Sequence, residues 1–99
     1  SGLLLPKIRA EAIPVYHLYV VRCPQRNKLL SHLKTHHCSA GVHYLVPVHL
    51  QPAYQKGQAK VHLPVTEQLA DEIISLPIYP ELSKDDVQKV MQATEQYIL

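Results

Sequence analysis

SAGVHYLVPVHLQPAY, residues 39–54, divides the chain into two halves of ordinary core-forming segments. Its sixteen residues hold two histidines, two tyrosines, two prolines and a glycine. Pro47 and Pro52 each hold φ at about −65° and lack a backbone donor. The stretch therefore reads as a short strand, Ser39–Tyr44, opening into a stiffened loop over Leu45–Lys60. The prolines also push Val46 and Gln51 toward extended backbone. Gly57, with Gln55, Lys56, Gln58 and Lys60 around it, marks the expected exposed tip. Polar rings carried on such a loop are well placed to meet a ligand.

Upstream, VYHLYVVR (Val15–Arg22) is rich in β-branched and aromatic residues and stops at Cys23-Pro24, which predicts a strand. Apolar groups on both of its faces suit a strand covered on both sides. Gln25–His37 reads as a helix with Pro24 at its first position. Leu29, Leu30 and Leu33 form its apolar stripe, while Arg26, Lys28, His32 and Lys34 are expected to face water. Ser1–Pro14 is a lead-in without a clear period, and its Leu3-Leu4-Leu5 run suggests packing against something.

Downstream, Val65, Leu69 and Ile73 recur every four residues and predict a helix over Pro64–Ser75. Leu76–Tyr79, before Pro80, reads as a third short strand. Ser83–Leu99 is the clearest helix. Ser83 followed by Asp86 resembles a capping box, and Val87, Val90, Met91, Thr94 and Ile98 make the stripe expected to be buried. The order is βαβ, loop, αβα. It predicts an α/β (α+β) fold, a small open sandwich of two to three short strands with about three helices packed mainly on one face.

Ninety-nine residues make one domain, here a lead-in or arm over 1–14 and a folded unit over 15–99. With no Phe and no Trp, the core must be aliphatic. The net charge of +2 is small and the basic residues form no stripe, which argues against a nucleic-acid partner. No apolar run is long enough to span a membrane, and the first residues lack the basic region of a signal peptide. Cys23 and Cys38 read as reduced, buried thiols of a cytoplasmic protein.

Seven histidines raise the question of a metal, but their spacing supports none. His36 and His37 point away from each other on a helix, and His43 and His49 are separated by a stiff loop with no carboxylate between them. No Gly-rich phosphate loop is present. Cys38 beside His36 and His37 matches no nucleophile motif, and no residue emerges as catalytic. What remains is recognition. His43, Tyr44 and His49 can hydrogen-bond phosphate or sugar hydroxyls while their rings pack on apolar surface. The competing reading is that these rings only pin the loop.

The segments VYHLYVVRCPQRNKLLSHLK, SAGVHYLVPVHLQPAY and LPVTEQLADEIISLPIYPEL, taken in order, resemble the C-terminal end of the DegT/DnrJ/StrS sugar aminotransferases. The resemblance implies the small domain of a pyridoxal-phosphate enzyme of the aspartate-aminotransferase fold, which aminates a keto sugar linked to a nucleoside diphosphate. It implies that His43 and Tyr44, with His49 beside them, contact the nucleotide-sugar. It further implies that the cofactor lysine belongs to a large domain, that this chain alone holds no cofactor and is inactive, and that its partner is that domain or a second copy in a homodimer. The alternative is a stand-alone interaction module that self-associates or binds a nucleotide-sugar without chemistry. Leu45 stands where many relatives have proline. His37-Cys38 stands where many have Gly-Ile, so a glycine suited to positive φ at a helix end is absent.

Overall fold

The computed structural model describes residues 2–56 and 60–98. The tip expected at Gly57 and the last residue of the final helix, Leu99, lie outside them. Two short strands pair antiparallel, β1 (Tyr19–Arg22) and β2 (Ile73–Leu76), with Val21 opposite Ile74. Helices α1 (Arg26–Thr35), α2 (Pro52–Gln55), α3 (Pro64–Glu72) and α4 (Lys84–Ile98) complete the described chain, with one 3-10 turn at Val48–Leu50. This is the small α/β unit the patterning predicts. α1 packs against both α4 and β2.

Val21, Ile74, Leu29 and Leu33 are fully buried and meet Cys23, Cys38 and Ala93 in one cluster. Burial of each large aliphatic contributes about 1.5–3 kcal/mol. Both thiols are free and buried, small apolar fillers of this core. The sheet is extended on each edge by a single backbone pair. Leu4 exchanges hydrogen bonds of 2.8 and 2.9 Å with Arg22, and Gly41 exchanges bonds of 3.1 and 2.7 Å with Ser75. The leucine run of the lead-in thus packs on the sheet: Leu3 lies against the core and Leu4 extends the ladder.

Several boundaries differ from expectation. β1 starts at Tyr19 rather than Val15, because Tyr16 turns to a positive φ of 50° and breaks the extended run. α1 starts at Arg26, with Gln25 rather than Pro24 leading in. Ser39–Tyr44 forms no strand beyond the Gly41 pair. The proline-stiffened loop does hold helical turns, because Pro52 serves as a first helical residue, where its missing N–H costs nothing. The largest shift is at residues 73–79. Ile73 is already extended (φ −74°, ψ 143°), so the strand is Ile73–Leu76, not Leu76–Tyr79. Consecutive β-branched Ile73 and Ile74 suit a strand better than a helix end, and Pro77 favours an extended Leu76.

Two residues assigned to water are turned inward. Arg26 is only 6% exposed, and its Nη1 donates to the carbonyls of Ala70 (2.9 Å) and Ile73 (3.0 Å). His32 is half-buried, its Nε2 2.7 Å from the Ala93 carbonyl of α4. At the other end of α1, His37 itself takes the left-handed conformation, φ 59°. Its N–H bonds Lys34 O (3.1 Å) and that of Cys38 bonds Leu33 O (2.9 Å), the paired closure of a Schellman motif. The ring carries a Cβ cost that glycine avoids. α4 begins as predicted: Ser83 Oγ accepts the Asp86 N–H at 3.1 Å and donates to its carboxylate at 2.8 Å.

Two stability outcomes follow from this packing. Leu33→Ala is expected to lower the unfolding free energy by about 2–5 kcal/mol in urea titration, through lost burial and a residual cavity. His37→Gly is expected to raise it by about 1 kcal/mol in the same assay, since glycine adopts the left-handed closure without strain.

Candidate functional site

Two histidines of the loop between α1 and α3, His43 and His49, fasten it, each to a different element. His43 lies 2.9 Å through Nδ1 from Ser75 Oγ, on the middle of β2. Tyr44 follows with its ring edge-on to His43, centroids 5.3 Å apart, and is 73% exposed. The pair therefore forms one unit: a histidine anchored on one ring nitrogen beside an open phenol.

His49 is held by α3. Its Nε2 is 3.0 Å from Glu67 Oε1, and its side chain is only 10% exposed. Nδ1 is buried with no partner among the described residues. A nitrogen facing a carboxylate donates to it, so Nε2 carries a proton. His62 approaches the same carboxylate from solvent, 3.1 Å from Oε2. The hydrogen bond from His49 is the largest influence on Glu67 and lowers its pKa. Partial burial opposes the shift, and His62 adds to it.

Of the three residues singled out from sequence, His43 and Tyr44 are brought side by side, and His49 is turned into its own anchor on α3. Ser75, Glu67 and His62 were not singled out. Ser75 had one sequence signal, a lone hydroxyl inside the apolar run Ile73-Ile74-Ser75-Leu76. Glu67 had none, since it reads as one more acidic residue on a solvated helix face.

α3 and β2 are tied to the first half of the chain just below this site. Arg22 forks onto Glu72 Oε2 through Nε (3.0 Å) and Nη2 (2.7 Å), while Gln68 donates to the other oxygen. The bond from Gln68 and then that from Arg22 hold the Glu72 carboxyl below its ordinary range. No group of three or more His, Cys, Asp or Glu among the described residues could hold a metal ion. No helix among them is long and apolar enough to cross a membrane.

A second surface is apolar. The stripe of α4 is only partly covered: Thr94 is buried and Val90 packs on the core, but Val87 and Met91 are 41% and 54% exposed. With Leu5, Tyr19, Leu76 and Ile98 they line an open groove of about 520 Å³.

A sequence model described as the DegT/DnrJ/EryC1/StrS aminotransferase family matches residues 3–95. The dTDP-3-amino-3,6-dideoxy-alpha-D-galactopyranose transaminase of Aneurinibacillus thermoaerophilus is 34% identical over 93 residues, 94% of this chain and 25% of that protein. The dTDP-3-amino-3,4,6-trideoxy-alpha-D-glucose transaminase of Streptomyces venezuelae is 39% identical over 98 residues, 97% of this chain and 26% of that protein. Among solved structures, S. venezuelae DesV in complex with a ketimine intermediate superimposes with a TM-score of 0.91 at 37% identity, covering 98% of this chain and 26% of that one. The chain thus spans about a quarter of the length of these relatives.

Members of this family use pyridoxal phosphate. A lysine that carries such a group needs a site withdrawn from water to be nucleophilic. All the described lysines, at 7, 28, 34, 56, 60, 84 and 89, are exposed, so none of them stands in such a site.

The Glu67 shift sets a pH dependence. Its folded pKa lies below its unfolded value, ordinarily 4.5. The carboxylate thus favours the folded state above that value, and this contribution is lost as the pH falls through the lowered pKa. Glu67→Gln is expected to lower the thermal midpoint near neutral pH, with the gap from the parent chain closing as the pH falls below the ordinary carboxylate value of 4.5. Calorimetric melts of both proteins across that range check it.

Proposed function

The chain belongs to the DegT/DnrJ/EryC1/StrS aminotransferase family, and on that premise we propose that it is the C-terminal small domain of a pyridoxal-phosphate-dependent nucleotide-sugar aminotransferase. Residues 1–14 lead into this domain. The full enzyme works in the cytoplasm as a homodimer. Its substrate is a keto sugar linked to dTDP, and the amino group is placed at the 3-position. The names of the two dTDP-3-amino-sugar transaminases support that choice.

The chain's own share of the work is binding. His43 and Tyr44 contact the nucleotide-sugar, and His49 shapes the loop that carries them. The cofactor supplies the electron sink that carbonyl–amine exchange requires. It is held by the large domain, so this chain alone does not transaminate.

The observation that carries this reading is the apolar groove on α4. Exposed apolar patches of this kind mark interaction sites, and we assign this one to the large domain of the same enzyme. Relatives about four times the length of the chain support that occupant over a foreign partner.

The test is to mix the chain with the remaining, cofactor-bearing part of the S. venezuelae relative. Association by light scattering and amino transfer to a dTDP-linked 3-keto sugar are expected. Met91→Glu is expected to abolish both while leaving the circular dichroism of the chain unchanged, because Met91 is half exposed. Neither association nor turnover in the parent mixture overturns the reading. A chain that instead pairs only with itself across the groove supports the stand-alone module.

A further inference from the structure

His43 could stand on its loop in many orientations, yet one of its nitrogens is committed. Ser75 is only 5% exposed. Its backbone N–H and carbonyl are both engaged with Gly41, so only the hydroxyl is left to bond the ring. The one bond found for that hydroxyl among the described residues is to His43 Nδ1, at 2.9 Å. A buried hydroxyl proton without an acceptor is costly, and Nδ1 is the acceptor within reach. The hydroxyl therefore donates to Nδ1. The ring proton must then sit on Nε2, the nitrogen Ser75 does not hold.

We infer that Ser75 is a positioning residue for His43, fixing the tautomer so that Nε2–H is offered, beside Tyr44, as a hydrogen-bond donor to a ligand oxygen. The inference rests on the proposed reading of this loop as part of the substrate site. It adds the atom that does the contacting and the ligand chemistry that suits it: a phosphate or sugar oxygen, which accepts, and not an amide or ammonium donor.

The test uses the isotope-labelled chain and two variants, read by long-range proton–nitrogen spectra of the histidine rings and by titration with dTDP-glucose. Neutral His43 is expected as the Nε2–H tautomer in the parent chain and in Ser75→Thr, which keeps the hydroxyl. Ser75→Ala is expected to show a tautomer mixture and to bind dTDP-glucose about fivefold more weakly, the loss of roughly one neutral hydrogen bond. An unchanged tautomer in Ser75→Ala overturns the inference, as does unchanged affinity in a chain that binds. A tautomer that follows the hydroxyl, with dTDP-glucose bound by no variant, supports the positioning by Ser75 and counts instead against the substrate-site reading.

Discussion

One buried guanidinium decides where the second half of the chain changes direction. Arg26 enters from α1 and binds the carbonyls of Ala70, near the end of α3, and Ile73, at the start of β2. Burying a charge is expensive, and among the described residues no carboxylate forms an ion pair with it. The compensation is hydrogen bonding, two carbonyls plus Asn27 Oδ1 at 2.7 Å from Nε, together with the negative end of the α3 dipole. Arg22 reaches the same corner through Glu72, whose own carbonyl accepts the Cys23 N–H at 2.9 Å. The corner between α3 and β2 is therefore held by two arginines and a backbone bond from β1 and its exit.

That corner supplies both anchors of the loop. Glu67 lies on α3 and Ser75 on β2, one on each side of the turn at Glu72–Ile73. His49 is fastened to the first and His43 to the second. Pinning and recognition, opposed as alternatives when only the residues are read, are thus compatible at His43: one ring nitrogen pins the loop and the other takes no part in that bond. At His49 the pin uses Nε2, and Nδ1 is buried. Anchors on regular elements, not on another loop, limit how far the Tyr44 hydroxyl can wander, and that kind of support is what a binding constellation needs.

What could be read from sequence was whatever is encoded locally. The cap of α4 needs only Ser83 and Asp86, three residues apart, and both bonds are present. The Leu29/Leu33 stripe of α1 is likewise a local pattern. The boundary between α3 and β2 was not legible, because Ile73 satisfies the four-residue helical period and also starts the β-branched run of the strand. Tertiary contacts with Arg26 and the pairing with β1 settle it. Arg26 itself was assigned to solvent by its type, since a period cannot announce that a carbonyl pair waits 44 and 47 residues away. The site has the same limit. The rings of the loop stand out by composition, whereas Ser75 and Glu67 acquire meaning only when the fold brings them to those rings.

The same contrast explains α4. A stripe of Val87, Val90, Met91, Thr94 and Ile98 reads as buried, and the pattern is sound, but the described chain covers only the side facing α1 and the sheet. Val90 and Thr94 line the inner, better-covered side of the groove, while Val87 and Met91 remain exposed on it beside Leu5 and Leu76. A two-stranded sheet with single-pair extensions has too little width to close over a fifteen-residue helix. Periodicity reports which face of a helix seeks an apolar partner, not which chain segment provides it. On α4 it asks for more cover than these residues offer, and the exposed remainder of that stripe is where a larger assembly has the most free energy to gain.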